Sequence, residues 1–478
     1  MNAEPHRVAF VTGRLAEPSL RRLLAEMSPP FAYDVVVMRI TVAALMTTAW
    51  IANHLDGGEV PEGTDLVLIP GLCEGEPAIV SEKIGVRAEK GPKDLREIPG
   101  YFGRAAAARK YGAWDIEILA EINNAPRLTR AALRAAAEYF RASGADIIDV
   151  GCTPGLAFPD LAGIVGELVA AGMRVSVDTF DADEIRIAVA AGAELVLSVN
   201  GSNIEAAKEL AGTGARVVVL PDLGSTLETL EPSLEKLTRW SIPYLIDPIV
   251  EPIGLGFMAS LERYAEVRRR YPDAEMLMGI GNLTELTAAD STGVNAMMIA
   301  VCQELGVRAV LTTEVIPWAR GSVREVDIAR RLMHYAVTGH TIPKGVDDRL
   351  VTIKDPEILE FTEQELRALQ ADITDPNFRI FADHEAITVL NNERFIRTTD
   401  VTRIGDLFAQ LDVDDPTHAF YLGKELAKAS LAVTLGKTYR QEGALSWGYL
   451  TPPDDARSEH VRLTHRARGA RPADGSDG

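Results

Sequence analysis

Three aspartates stand at the ends of short apolar runs that are typical of β-strands. They are Asp149 in IIDVG, Asp178 in RVSVDTF and Asp247 in YLIDP. An unpaired carboxylate is costly to bury at the end of a β-branched strand. One such aspartate is ordinarily a helix cap or a turn former. Three in the same position relative to a strand indicate a common site.

Amide and carboxylate side chains follow the other predicted strands as well. Short polar side chains with almost no Lys, Arg or His among them suit a flat heterocycle that carries N–H donors and carbonyl acceptors. A carboxylate can accept two parallel N–H bonds from an aminopyrimidinone edge. A divalent metal site is the alternative, since the same oxygens suit magnesium. These further strand-end residues are Asn123, Asn200, Asn282 and Glu314.

Structural roles compete with these assignments. Asp149 is interpreted as a buried strand-end aspartate that bonds neighbouring loop N–H groups. Asp178 could cap the next helix, although Asp181 is better placed for that. Asn123 and Asn124, before Pro126, could simply build a turn.

A repeated strand and helix pattern between about 115 and 345 would position these residues. Eight such units in roughly 250 residues predict a closed (β/α)8 TIM barrel, in which the carboxyl ends of the strands form one functional mouth. An open doubly wound sheet is the alternative. The predicted strands are IEILAEI, ADIIDVG, MRVSVDT, AELVLSV, ARVVVLP, IPYLIDP, AEMLMGI and RAVLTTE.

Several strand motifs of this barrel resemble those of dihydropteroate synthase, in the wider pterin-binding superfamily that includes folate-dependent corrinoid methyltransferases. They are EINNAP, GADIIDVG, VSVDTF with AGAELVLSVNG, and DPIVEPIGLGF. The resemblance implies that Asp178 and Asp247 hold a pterin ring and that Asn123 helps to hold Mg²⁺ and diphosphate. Asn200 is a looser match.

The ends of the seventh and eighth strands depart from that family. Dihydropteroate synthases carry a basic residue after the seventh strand and an Arg and a His at the eighth, which receive the diphosphate. Here MGIGNLTEL places Asn282 after the seventh strand, and VLTTEVIP places Thr313 and Glu314 after the eighth. Asn282 looks more like the methyltransferase branch, so pterin binding is better supported than diphosphate displacement.

Residues 1–112 are predicted to form a flavodoxin/Rossmann-like α/β domain. Its stretch SEKIGVRAEKGPKDLREIPG is the candidate for phosphate capture over the barrel mouth, although such a run is usually a solvated surface. Its five cations are Lys83, Arg87, Lys90, Lys93 and Arg96.

The strand and helix patterns also predict the boundaries of the remaining domains. The barrel is assigned to residues 113–350 and a small C-terminal α/β domain to 351–451, with Lys424 and Lys428 on a solvent face. That domain resembles one appended to dihydropteroate synthase-like proteins of methanogens and methylotrophs. Residues 452–478, with a basic run from Arg457 to Arg471, are predicted to be a disordered tail.

The three-part layout resembles those dihydropteroate synthase-like proteins. It implies condensation of a 6-hydroxymethyl-dihydropterin diphosphate with an arylamine, such as ribofuranosylaminobenzene phosphate, in tetrahydromethanopterin biosynthesis. The pterin would be a substrate rather than a bound cofactor, and Mg²⁺ the expected ion. Methyl transfer to a corrinoid partner and non-catalytic pterin binding are the alternatives. The candidate residues are Asp178, Asp247 and Asn123 for catalysis, Asn123 for metal binding, and Asp149, Thr153, Asn200, Asn282, Glu314, Lys83, Arg87, Lys90 and Lys93 for substrate binding.

Composition restricts the partners and the compartment. A net charge of −20 argues against a nucleic-acid partner, because phosphate backbones need a basic face. The chain has no membrane-length apolar run and no signal-peptide pattern, which predicts a cytoplasmic protein. Three scattered cysteines predict free thiols. A homo-oligomer, specifically a dimer, is also expected.

Overall fold

The computed structural model describes residues 5–55, 57–93, 95–103, 111–222 and 226–451. The predicted tail, 452–478, lies outside these ranges. The chain divides into two compact units, 1–113 with 335–342 and 114–334 with 343–478. The three predicted domain boundaries stay a prediction.

The first unit contains a four-stranded parallel sheet. Its order, β2-β1-β3-β4, is that of a flavodoxin-like doubly wound sheet. Thr47 caps the start of the second helix, because its side chain accepts a hydrogen bond from the backbone N–H of Trp50. The strands are β1 Arg7–Gly13, β2 Ala32–Met38, β3 Leu66–Ile69 and β4 Ala88–Lys90, and the helices are α1 Glu17–Met27, α2 Thr48–His54, α3 Ala78–Ile84 and α4 Ile98–Tyr101.

Eight parallel strands form the predicted barrel, and each lies within a run expected from the sequence. Their order is β10-β9-β8-β7-β6-β5-β12-β11. A parallel bridge between Ile246 and Met276 joins the two edges. The strands are β5 Glu117–Ile122, β6 Ile147–Gly151, β7 Arg174–Asp178, β8 Leu195–Val199, β9 Arg216–Val219, β10 Tyr244–Ile246, β11 Leu277–Gly279 and β12 Ala309–Thr312.

Helices cover the outside of the barrel. Alternate strand residues pack inward or against the helices, as the two-residue period of a strand requires. The inward apolar layer is Leu119, Ile147, Leu195, Leu197, Val218, Leu245, Leu277 and Ala309. The helices are α5 Arg130–Ser143, α6 Leu161–Ala170, α7 Ala182–Ala190, α8 Leu230–Arg239, α9 Phe257–Arg270, α10 Gly281–Thr284, α11 Ser291–Leu305 and α12 Ser322–Gly339.

An ion-pair network lies at the amino-terminal ends of the barrel strands. Arg174 pairs with Glu117 and Glu194, and Arg216 pairs with Glu117 and with Glu275 at 3.2 Å. This end of a (β/α)8 barrel serves stability rather than chemistry. The functional site is therefore to be sought at the opposite end.

The C-terminal part of the second unit pairs an antiparallel sheet with a long helix. Tyr439 is buried in its core. The prediction for Lys428 was wrong: its side chain is only 16 % exposed, because its Nζ pairs with the buried Glu425 at 2.7 Å. The strands are β13 Arg379–Ala382, β14 Ile387–Leu390 and β15 Phe395–Thr398, and the helices are α13 Glu363–Asp372, α14 Ile404–Ala409 and α15 Pro416–Leu435.

The thiols agree with the sequence prediction. Cys73, Cys152 and Cys302 are all free. Burial raises the pKa of the Cys152 thiol well above its usual range, which disfavours a nucleophilic thiolate. Among the described residues, no helix has the length and apolar character needed to cross a membrane.

Candidate functional site

Three neighbouring barrel strands bring three carboxylates together. Glu121 on β5 is in register with Asp149 on β6, and Asp178 ends β7. Asp149 lies two residues after Ile147, which packs in the barrel interior, so it faces the interior too. One oxygen of each carboxylate lies within 4.8 Å of the other two. Two of these three residues, Asp149 and Asp178, were predicted from the sequence.

Burial raises the pKa of all three carboxyl groups. The pKa of Glu121 rises to about 7, through burial first and then through the charges of Asp178 and Glu285. Burial raises the pKa of Asp178 to about 6. The pKa of Asp149 lies well above its usual range, because the group is fully buried and close to Asp178 and Glu121. The raised pKa values mean that the ionised forms of these carboxyl groups are unfavourable in this environment.

Asp149 has one satisfied and one unsatisfied oxygen. The Ser176 hydroxyl donates to Oδ1 at 2.5 Å. Oδ2 is buried and has no hydrogen-bond partner among the described residues. The predicted bonds from neighbouring loop N–H groups are not found within the part of the chain that the structure describes. A buried acceptor left without a donor is unusual and needs an explanation.

Asp178 does not cap the following helix. Asp181 does so, because its Oδ1 accepts from the backbone N–H of Asp183 at 2.8 Å and of Glu184 at 3.0 Å. The carboxylate of Asp178 is therefore not committed to the start of α7. It remains available to a ligand in the barrel.

Asp247 is held at the end of β10 by two donors. Its Oδ1 accepts from the Tyr264 hydroxyl at 2.5 Å and from the backbone N–H of Ile249 at 2.7 Å. Ile249 has a φ of 67°, a left-handed conformation that is strained for a β-branched residue. Burial raises the pKa of Asp247 to about 6, and the bonds from Tyr264 and Ile249 oppose that rise. Because both bonds go to Oδ1, Oδ2 is the oxygen that a ligand could use.

The amide of Asn123 is oriented by a neighbouring strand. Thr313 donates a hydrogen bond to Oδ1 of Asn123. A bond from Asn123 lowers the pKa of Glu121, so the amide nitrogen faces that carboxylate. In this orientation its oxygen already accepts one hydrogen bond, and the role of Asn123 in metal binding stays a prediction. The oxygen and nitrogen of an amide are assigned from such a network.

The neighbouring Asn124 builds a turn. Its φ of 52° is left-handed, a conformation that asparagine tolerates. Its Oδ1 accepts from the hydroxyl of Thr153 at 3.2 Å, which joins the loops after β5 and β6. The candidate substrate-binding residue Thr153 therefore also has a structural bond.

Asn200 and Asn282 both make hydrogen bonds to loop residues of the barrel. Oδ1 of Asn200 accepts from the backbone and hydroxyl of Ser202, at 2.9 and 2.5 Å. Nδ2 of Asn282 donates to the carbonyl of Val250 at 3.0 Å, across to the loop that follows β10. Both residues stand at the carboxyl ends of strands, as predicted. Their roles in substrate binding stay predictions.

Glu314 is engaged apart from the acidic group. Its Oε2 accepts from the Tyr139 hydroxyl at 3.0 Å, and its Oε1 accepts from the backbone N–H of Val323 at 3.1 Å. The second bond caps the start of α12, where a carboxylate is favourable. These contacts support a structural role for Glu314.

The basic stretch of the first unit contains the end of helix α3 and the strand β4. Lys83 lies in the last turn of α3, and Lys90 ends β4. Arg87, between them, pairs with Glu89. Lys93 is exposed, and nothing is described of the Arg96 side chain. The strand was missed because AEK is short and carries two charges.

Sequence reasoning also missed Glu121 and Glu285. Glu121 has the same inward parity as Asn123, so the two-residue period could have identified it. Glu285 follows β11, where the dihydropteroate synthase family carries a basic residue, and its charge helps to raise the pKa of Glu121.

Within the described residues, no ion pair involves Glu121, Asp149, Asp178, Asp247 or Glu285. Arg263, which donates to the carbonyl of Ile249 at 2.7 Å, is the cation whose charge lowers the pKa of Asp247.

Two family models match separate parts of the chain. Residues 127–224 match the family described as "Pterin binding enzyme". This range contains Asp149, Thr153, Asp178 and Asn200. Residues 6–93 match a family of unknown function (DUF6513). The first match covers part of the barrel, and the second falls within the first unit.

Similar proteins cover either the whole chain or the barrel alone. An uncharacterised protein of Methanocaldococcus jannaschii is 27 % identical over 521 residues, covering 91 % of this chain and 98 % of that protein. The Thermus thermophilus dihydropteroate synthase in complex with 6HMPPP is 22 % identical, with a TM-score of 0.38, and covers 46 % of this chain and 94 % of that one. The Xanthomonas albilineans enzyme with 4-aminobenzoic acid is 20 % identical, with a TM-score of 0.39, and covers 47 % and 93 %.

The carboxylate group fits a hard divalent cation. Mg²⁺ and Mn²⁺ prefer oxygen ligands, and carboxylates are their usual protein partners. Three carboxylate oxygens lie close enough to share an ion, and Oδ2 of Asp149 has no competing donor in the described residues. The donor set is therefore suitable, with Glu121, Asp149 and Asp178 in place of the Asn123 oxygen.

Proposed function

We propose that the barrel binds a pterin through the carboxylates of Asp178 and Asp247. Both residues face the barrel interior at the carboxyl ends of their strands. Both lack an ion-pair partner within the described residues. The amino-pyrimidinone edge of a pterin presents N–H donors, which an ionised carboxylate accepts well. The observation that carries the proposal is this pair of carboxylates, Asp247 buried and Asp178 half-buried, in a barrel whose residues 127–224 match pterin-binding enzymes.

The reaction proposed is the transfer of a dihydropterin-methyl group from diphosphate to the nitrogen of an arylamine, as in dihydropteroate synthase. The amine nitrogen would form a bond to the methylene carbon of a 6-hydroxymethyl-dihydropterin diphosphate. The bond from that carbon to the diphosphate oxygen breaks, and the amine loses a proton to water. The side chains bind the ring and hold the amine in line, so positioning and electrostatics supply the catalysis.

Magnesium has a defined place in this proposal. Glu121, Asp149 and Asp178 would hold the ion, and its charge would offset their repulsion of an anionic substrate. Without such an ion, the cluster of carboxylates disfavours a diphosphate. The acidic group is thus compatible with diphosphate displacement only if its charge is neutralised.

The amine is proposed to be ribofuranosylaminobenzene phosphate, in tetrahydromethanopterin biosynthesis. The resemblance of the three-part layout to proteins of methanogens and methylotrophs supports this choice. A cytoplasmic dimer remains the expectation for the working form.

Methyl transfer from a reduced pterin to a corrinoid partner is the second candidate. The observation that favours it is the set of residues at the last two strands, Asn282 and Glu285 after β11 and Thr313 after β12. Neutral and acidic side chains stand there where a diphosphate would need cations. Corrinoid would have to be presented by a separate protein.

One experiment separates these functions. The purified protein is incubated with the dihydropterin diphosphate, Mg²⁺ and candidate arylamines, and diphosphate release is measured. Amine-dependent release that is lost in Asp178→Asn would support the condensation. Pterin binding without release, together with methyl transfer from a methylated reduced pterin to a corrinoid protein, would support the second candidate. Pterin binding with neither activity would identify a non-catalytic pterin-binding protein.

A further inference from the structure

We propose that Glu121, Asp149 and Asp178 form a binding site for one divalent cation of the magnesium class in the pterin-free protein. The three side chains come from three adjacent strands, β5, β6 and β7. Their oxygens lie within 4.8 Å of one another, so small side-chain movements would bring all three to the distance of about 2.1 Å at which Mg²⁺ binds oxygen.

The buried oxygen of Asp149 is the observation that points to a ligand. Asp149 is fully buried, and Ser176 fixes its other oxygen with a hydrogen bond of 2.5 Å. Oδ2 has no hydrogen-bond donor among the described residues. A cation would satisfy this oxygen, and it would also offset the repulsion between the three carboxylates.

A glycine makes room for the arrangement. A Cβ on Gly151 would lie 2.6 Å from Oε1 of Glu121. The missing side chain on β6 therefore allows Glu121 to approach Asp149 and Asp178. Substituting this glycine displaces the Glu121 carboxylate without changing any charge, because the atom that must shift is the end of a flexible side chain.

The same strand supplies a matched control. Glu117 lies four residues before Glu121 on β5 and has the same parity. Its carboxylate already pairs with Arg174 and Arg216 at the opposite end of the barrel. Neutralising Glu117 removes an interior-facing carboxylate of the same strand without touching the proposed site.

The test measures binding of Mn²⁺ alone to the full chain after treatment with a chelator, by electron paramagnetic resonance, with Mg²⁺ as competitor. Wild type is expected to bind one Mn²⁺ that Mg²⁺ displaces. Asp149→Asn should weaken binding at least tenfold, Gly151→Ala should weaken it by a smaller factor, and Glu117→Gln should leave it unchanged. Metal-free Asp149→Asn should melt no lower than wild type, since an unpaired buried charge is removed.

Several outcomes would overturn the proposal. Wild type could bind no Mn²⁺ at millimolar concentration, which would mean that protons neutralise the group. Equal binding in wild type, Asp149→Asn and Gly151→Ala would place the ion elsewhere. If Asp149→Asn does not fold, Gly151→Ala decides. Because no pterin is present, failure of this test leaves the proposed pterin chemistry to its own assay.

Discussion

Replacing Asp247 by asparagine should weaken pterin binding while leaving the fold intact. Oδ1 of Asp247 is held by the Tyr264 hydroxyl at 2.5 Å and by the N–H of Ile249 at 2.7 Å. An asparagine can keep both bonds with its amide oxygen. Its NH₂ group then takes the place of Oδ2, the oxygen proposed to accept from the pterin. A donor would face a donor at that position.

The magnitude follows from one lost charge-assisted hydrogen bond. Such a bond contributes about 1–3 kcal/mol, which corresponds to a loss of about 5- to 150-fold in affinity. Stability should move the other way. The rise in the pKa of Asp247 from 3.8 to about 6 corresponds to about 3 kcal/mol of unfavourable free energy for the ionised group at neutral pH. Asparagine removes this cost, so the free energy of unfolding at pH 7.5 should be unchanged or higher.

Pterin affinity is measured by calorimetric titration at pH 7.5, and stability by chemical denaturation of the same preparations. The control is Asp181→Asn at the start of α7, where asparagine also caps a helix well and no pterin contact is proposed. An Asp247→Asn protein that binds pterin like wild type would refute the reasoning. So would a loss of affinity that merely parallels a loss of stability.

Three further predictions concern protonation and charge. Pterin affinity should rise between pH 5 and about 7, because Asp178 and Asp247 have a pKa of about 6 and accept N–H bonds best when ionised; a flat titration profile would contradict this. The pKa of each aspartate in the folded protein exceeds the unfolded value of 3.8, so the stability that these groups contribute is full below about pH 4 and is lost as the pH rises through about 6. Denaturation of wild type and Asp247→Asn at several pH values measures how the free energy of unfolding depends on pH. Tyr264→Phe removes a donor to Asp247 and should shift the midpoint of the affinity profile to higher pH, whereas an unmoved midpoint would show that the hydroxyl has no such role.

Local patterns were enough to predict the barrel. Its strands are short, mostly apolar runs, several of them end at a polar residue, and the spacing between runs matches a helix and two turns. The position of Asp178 and Asp247 at strand ends predicted that both lie at the mouth of the barrel. Glu121 faces the same interior by the two-residue period of β5, but the sequence EINNAP that contains it is typical of a turn.

Contacts between distant residues could not be predicted in this way. Thr313 orients the amide of Asn123 across 190 positions of the chain. Asn282 reaches a carbonyl after β10, and Glu314 turns to Tyr139 and the start of α12. Each side chain had several possible partners in the sequence, and only the packing of neighbouring strands and helices selects one.

The sequence by itself therefore determined the barrel, its functional end and the polar character of its mouth, because these follow from the periods of strands and helices. The tertiary structure decided which carboxylates meet. Registers between β5, β6 and β7 bring Glu121, Asp149 and Asp178 together, and Gly151 leaves the space for them. Their charges interact over a few ångströms in a buried place, and no local pattern encodes a distance between strands.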